Sequence, residues 1–119
     1  MSVLVVDDDP AFRRLARRIL ETFELSVAGE AETVASAISV ADTLRPDAVL
    51  VDVGLPDGDG IALARQLTAL PWRPRVVLTS SNPEAATAGE VRTSGAEAFV
   101  PKSDLPSAGL ADLLGPRVP

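Results

Sequence analysis

Short apolar runs recur along the chain, and each stops abruptly at a polar residue or a turn: Val3-Leu4-Val5-Val6, Ala48-Val49-Leu50-Val51, Val76-Val77-Leu78 and Ala98-Phe99-Val100. Runs this short, apolar at successive positions and rich in β-branched side chains, suit strands buried on both faces. Such strands occur in parallel sheets covered by helices on both sides. The segments between the runs carry the matching helical periodicity. Asp9-Pro10 is a helix start, with an N-cap carboxylate and a proline at the first helical position. Behind it Phe12, Leu15, Ala16, Ile19 and Phe23 share one face, while Arg13, Arg14, Arg17 and Arg18 fall largely on the other.

The same reading continues to the end of the chain. Leu25 to Gly29 is a further short strand, and Glu32 to Leu44 a second helix with Val34, Ile38, Ala41 and Leu44 at helical spacing, ended by Arg45-Pro46. A turn-rich loop, Gly54-Leu55-Pro56-Asp57-Gly58-Asp59-Gly60, follows the Ala48 run and leads to a third helix over Ile61 to Leu70. Ser81 and Glu84 have capping-box spacing around Pro83, which predicts a fourth helix from Pro83 to Arg92 or Thr93 with a thin apolar face of Ala85, Ala88 and Val91. Ser103 is expected to cap a last helix that runs through Leu114 and stops at Gly115-Pro116. Five strands of about five residues, five helices of about eleven and nine connections of about four consume about 116 residues. The chain has 119, so the expectation is one domain over residues 1–119 without an output domain.

Composition removes several kinds of chemistry. No cysteine and no histidine are present, which excludes disulfides, thiol catalysis, Cys/His zinc sites, serine-histidine hydrolysis and phosphohistidine carriage on this chain. Seventeen acidic residues (Asp and Glu) against eleven basic ones give a net charge of −6, which opposes a nonspecific grip on nucleic acid or anionic membrane. With no apolar run long enough for a signal peptide or a membrane span, the expected compartment is the cytoplasm. Lys102 is the only lysine among ten arginines.

In open parallel α/β sheets ligands bind beyond the carboxyl ends of the strands. The residues delivered there are Asp7 and Asp8 after the first run, Asp52 after the third strand, Thr79 after the fourth, and Lys102 two residues past the fifth. Singly, each has an ordinary explanation as cap, turn former or solvated charge. Together they do not, because carboxylates gathered at one sheet edge repel unless a cation sits among them. A hard divalent ion such as Mg²⁺ suits oxygen donors of this kind and keeps room for phosphate oxygens. Asp52 then fits a carboxylate nucleophile toward phosphorus, with the Lys102 ammonium and the Thr79 hydroxyl neutralising and hydrogen-bonding the transferring group. The Asp57-Gly58-Asp59-Gly60 run is no calcium loop, since the earlier ligand positions and the closing glutamate are missing.

Val-Leu-Val-Val-Asp-Asp-Asp-Pro at 3–10, Val-Asp-Val-Gly-Leu-Pro-Asp-Gly-Asp-Gly at 51–60, Val-Leu-Thr-Ser at 77–80 and Gly-Ala-Glu-Ala-Phe-Val-Pro-Lys at 95–102 make the chain resemble the receiver domains of two-component response regulators. The resemblance runs from Ser2 to about Leu114. It implies a doubly wound, flavodoxin-like α/β fold: a five-stranded parallel sheet in the order 2-1-3-4-5 with five helices. It implies Asp52 as phosphoacceptor, Asp8 as direct Mg²⁺ ligand, Asp7 as its mainly water-mediated companion and the Gly54 carbonyl as a further ligand. Thr79 and Lys102 would contact the phosphoryl group, and Phe99 would be the switch aromatic.

The donor implied is a phosphohistidine on a sensor histidine kinase or a histidine phosphotransfer protein. The output implied is a downstream protein or a linked DNA-binding domain, with a homodimer through the face of the fourth helix, fifth strand and fifth helix as a candidate assembly. No direct contact with nucleic acid or membrane is expected, and no enzymatic turnover beyond the domain's own phosphorylation and dephosphorylation. Two alternatives are a receiver-like binding module working unphosphorylated and an aspartyl-nucleophile phosphoesterase. The latter pattern wants a second aspartate two residues after the nucleophile, where this chain has Gly54. Three departures from the family pattern are Ser103 in place of a proline after Lys102, Gly54 leaving open water access beside Asp52, and Phe99 without the hydroxyl of the common tyrosine. A cis bond before Ser103 would cost about 2.5 to 4 kcal/mol without proline.

Overall fold

The computed structural model describes residues 1–116; the last three residues of the expected 1–119 domain lie outside the described residues. In chain order the elements are β1 (Ser2–Val6), α1 (Pro10–Thr22), β2 (Ser26–Ala31), α2 (Val34–Leu44), β3 (Ala48–Asp52), α3 (Gly60–Thr68), β4 (Arg75–Ser80), α4 (Ala88–Ser94), β5 (Ala98–Pro101), a 3₁₀ turn (Lys102–Ser107) and α5 (Leu110–Leu114). Gly54–Leu55 and Gly58–Asp59 form a small antiparallel hairpin between β3 and α3. The five main strands pair in parallel in the order β2-β1-β3-β4-β5, as expected for the doubly wound fold.

The period-two pleat of fully buried strands sorts their side chains into two cores. Leu4, Val6, Val49, Val51, Val76 and Leu78 face α2 and α3, meeting Ala37, Ala41, Leu63, Ala64 and Leu67. Val3, Val5, Leu50, Val77 and Val100 face α1 and α5, meeting Phe12, Ala16, Leu20, Leu110 and Leu114. Asp9 caps α1 as expected, its carboxylate accepting the Ala11 N–H at 2.9 Å.

Several expectations are corrected. The fourth helix begins at Ala88, not Pro83. The Glu84 N–H that Ser81 was to accept goes instead to Asn82 Oδ1 at 3.0 Å, while a second capping box forms six residues on: Thr87 Oγ1 accepts the Glu90 N–H at 3.1 Å and Glu90 Oε1 the Thr87 N–H at 2.9 Å. The last helix does not run unbroken from Ser103. Pro106 lacks the N–H an α-helix needs, Gly109 turns left-handed at φ 71°, and only Leu110–Leu114 is α-helical. Strand β2 covers Ser26–Ala31 instead of Leu25–Gly29, and Thr33 caps α2, so that helix starts at Val34. Leu15, Ile38 and Leu44, assigned to apolar faces, are 50%, 42% and 43% exposed, because Phe12, Ala16 and Leu20 make the buried contact of α1 and small Ala37 and Ala41 that of α2. No described peptide bond is cis, including that before Ser103.

Candidate functional site

The strand ends deliver the site. Asp7 is fully buried at the end of β1. Its N–H reaches the Ala31 carbonyl at 3.0 Å, its Oδ1 accepts the Asp9 N–H at 2.8 Å, and its own carbonyl accepts Arg13 Nη1 at 2.6 Å. Its Oδ2 takes no well-directed hydrogen bond; it meets the Lys102 ammonium as an ion pair at 2.7 Å. Burial pushes the Asp7 pKa above 3.8, opposed by Lys102 and the Asp9 N–H and reinforced by neighbouring Asp52. Asp52 closes β3 and is nearly buried, with Oδ1 accepting the Gly54 N–H at 3.1 Å and Oδ2 lying 3.3 Å from Lys102 Nζ.

Asp8 is exposed, yet it offers an oxygen that lies with those of Asp7 and Asp52 inside a 4.8 Å cluster. Burial alone would lower the Lys102 pKa, but contacts with Asp7 and Asp52 outweigh it and raise the pKa above 10.5. The ammonium also lies 4.1 Å from the centre of the Phe12 ring. An oxygen-only donor set, one buried carboxylate oxygen lacking a hydrogen bond and one solvent-facing carboxylate fit a hard divalent cation such as Mg²⁺.

Thr79 is buried and pairs with Asp52 in the β3–β4 register. Its hydroxyl donates to the Val100 carbonyl at 2.7 Å. Phe99 is half-buried on β5 beside a shallow cavity lined by Ala86, Ala88, Val91 and Arg92. Asp7, Asp8, Asp52 and Lys102 therefore converge; Thr79 sits next to them with its hydroxyl engaged elsewhere, and Phe99 stands apart. Gly54 borders Asp52 with nothing within 4 Å of where a Cβ would be, so the approach to Asp52 is open on that side.

Four residues escape a reading of the sequence as functional neighbours. Arg13 belongs to the α1 arginines placed opposite the apolar face, yet its side chain is only 11% exposed and joins the Asp7 carbonyl to Glu30, at 2.8 Å from Nε to Oε1. Phe12 reads as core and is core on one side, but it also touches Lys102. Asp57 accepts the Val34 and Ala35 N–H groups at 2.7 and 3.1 Å, tying the loop after Asp52 to the start of α2. Gly60 lets α3 begin directly over the end of β3: a Cβ there would overlap the Asp52 carbonyl oxygen and come within 2.7 Å of Val53 Cα. The glycine in the Asp-Gly-Asp-Gly run was the one legible signal of such a close approach.

A five-stranded doubly wound sheet with acidic side chains, a lysine and a threonine at its carboxyl edge defines a flavodoxin-like α/β domain with a polar site at its strand ends. The chain belongs to the response regulator receiver domain family, whose model matches residues 3–111. It is similar to a protein-glutamate methylesterase/protein-glutamine glutaminase of Hahella chejuensis, 37% identical over 109 residues that cover 90% of this chain and 31% of the relative. It is also similar to the KDP operon transcriptional regulatory protein of Escherichia coli, 40% identical over 84 residues, 71% of this chain and 37% of the relative. Among solved structures, the signal receiver domain of the response regulator NarL from Mycobacterium tuberculosis superposes with a TM-score of 0.78 at 31% identity, covering 92% of each chain. The chain thus spans about a third of these curated relatives' length and almost all of that solved receiver domain. It is a receiver domain of two-component response regulators.

Proposed function

We propose that this receiver is a phosphorylation-activated switch whose phosphoacceptor is Asp52. The observation that carries this reading is the Asp52 carboxylate standing at the open strand edge, 3.3 Å from the Lys102 ammonium and clustered with Asp7 and Asp8. A carboxylate oxygen of Asp52 attacks phosphorus and forms the O–P bond. The P–N bond to the donor imidazole breaks, and the leaving nitrogen keeps that electron pair; with the proton carried on the other ring nitrogen, or one taken up from water, the donor ends as a neutral imidazole. The donor is a phosphohistidine on a sensor histidine kinase or histidine phosphotransfer protein, because this chain has no histidine of its own. Water later attacks the same phosphorus, releasing phosphate and restoring the carboxylate.

Asp7, Asp8, Asp52 and the Gly54 carbonyl would hold Mg²⁺, which supplies positive charge against the phosphoryl oxygens. Lys102 neutralises a further oxygen as a compact point charge. Thr79 exchanges its bond to the Val100 carbonyl for one to the phosphoryl group. That exchange frees the β5 backbone beside Phe99 and biases the α4-β5-α5 face toward a second arrangement. This face then engages a second copy, a downstream protein or a linked DNA-binding domain in the cytoplasm.

The test is intact mass after incubation with phosphoramidate or acetyl phosphate and Mg²⁺. The expected result is the gain of one phosphoryl group, abolished in Asp52→Asn and by chelation. No gain, or a gain that persists in Asp52→Asn, refutes the assignment; a module that only binds unphosphorylated would give the first of these.

A further inference from the structure

The Lys102 ammonium has three close contacts of different kinds. Asp7 Oδ2 lies at 2.7 Å, Asp52 Oδ2 at 3.3 Å and the Phe12 ring centre at 4.1 Å. The two carboxylates are the groups that a metal ion and an incoming phosphoryl group would claim, so the charge attracting the ammonium changes during the domain's work. The ring is the contact that this chemistry leaves untouched. Phe12 is 8% exposed and packed among Val5, Ala16 and Leu20, which fixes the plane of its face. Out of water, a fixed aromatic face attracts an ammonium more strongly than at an exposed site. A lysine needs such a guide, since its stem is flexible and its charge is a point without the directional fork of arginine. Phe12 sits in the first turn of α1, directly after the acidic segment, so one helix start both caps with Asp9 and carries the ring.

We propose that Phe12 is a positioning residue whose ring face holds the Lys102 ammonium at the mouth of the site while its carboxylate partners change. This rests on the reading of Asp52 as phosphoacceptor. The contact itself can be tested without phosphorylation, because Lys102 is the only lysine. In lysine-labelled protein its ε-methylene protons give one signal, expected upfield of free lysine through the ring current and returned toward the free position in Phe12→Leu. A free-lysine signal in the unsubstituted chain overturns the proposal.

The role in transfer is tested by placing mono-, di- and trifluorinated phenylalanine at position 12, which drains the negative face of the ring with little change of shape. The rate of phosphorylation by phosphoramidate is expected to fall stepwise, by roughly threefold to tenfold at the trifluorinated ring, with an unchanged melting temperature. A rate indifferent to fluorination, or one that falls only in step with the melting temperature, overturns it. If the unsubstituted chain shows the shifted ε-methylene but takes up no phosphoryl group, the Asp52 reading fails and the positioning role falls with it. If it is phosphorylated and only the fluorine series is flat, the Asp52 reading stands and this proposal alone fails.

Discussion

At the scale of single residues, two positions set how the acidic cluster is built and what it costs. Gly60 starts α3 over the end of β3, where a Cβ would overlap the Asp52 carbonyl oxygen and approach Val53 Cα to 2.7 Å. Both neighbours are backbone and cannot swing aside. Gly60→Ala is therefore expected to destabilise the fold by about 1–3 kcal/mol, the cost of overpacking, read as a lower urea midpoint. Because the displaced atoms belong to Asp52 and Val53, phosphorylation should slow as well.

Asp7 acts in the opposite direction. Burial raises its pKa above 3.8, so the folded state holds that proton more tightly than the unfolded chain does. Ionisation then costs stability as pH rises from 3.8 through the folded value. Asp7→Asn keeps an acceptor for the Asp9 N–H and removes the charge. In chelator-treated buffer at pH 7 it should be the more stable of the two chains, read as a higher melting temperature. The difference should close below pH 3.8.

Between elements, a pair of ion pairs joins α1 to the end of β2. Glu30 accepts from Arg17 at 3.0 Å and Arg13 at 2.8 Å. The Arg17 bond lowers its pKa below 4.5, partial burial opposes that, and Arg13 adds to it. A depressed carboxylate pKa gives stability that is whole above 4.5 and lost as pH falls through the folded value. With a side chain 33% exposed the link is screened, so Glu30→Gln should cost about 0.5–1 kcal/mol at pH 7. Denaturant titrations across the acid range should show that cost shrinking below pH 4.5 and also with added salt.

The same level shows what a sequence can and cannot disclose. β1, β3 and β4 were plain because their apolar runs are uninterrupted, and α1 because Asp9-Pro10 marks its start locally. The start of α4 was misplaced because two Ser/Thr-x-x-Glu sets compete, at Ser81-Glu84 and Thr87-Glu90, and a third side chain, Asn82, decides between them. The α1 arginines look alike by periodicity. Glu30, brought beside α1 by β2, and the Asp7 carbonyl separate half-buried Arg13 from exposed Arg14. The site carboxylates and Lys102 were legible because strand ends are predictable places, whereas Phe12 under the ammonium depends on how α1 and β5 pack.

For the molecule as a whole, a net charge of −6 with three carboxylates in one cluster makes stability responsive to cations. Mg²⁺ is expected to raise the melting temperature in a concentration-dependent way, by the equivalent of about 2.7 kcal/mol at a hundredfold excess over its Kd. Scanning fluorimetry should show EDTA reversing the shift and Asp52→Asn reducing it.

Asp52 and Lys102 stand 50 positions apart in the chain, and Asp7 comes from the first strand of all. Contacts of such separation close late in folding, after most of the loop entropy has been spent. A cation bound among these side chains therefore has little to hold in the transition state and much to hold in the finished sheet. Its stabilisation should be carried by slower unfolding, with the rate of folding almost unchanged. The pocket that receives the signal would thus also act as the final clasp on a completed sheet.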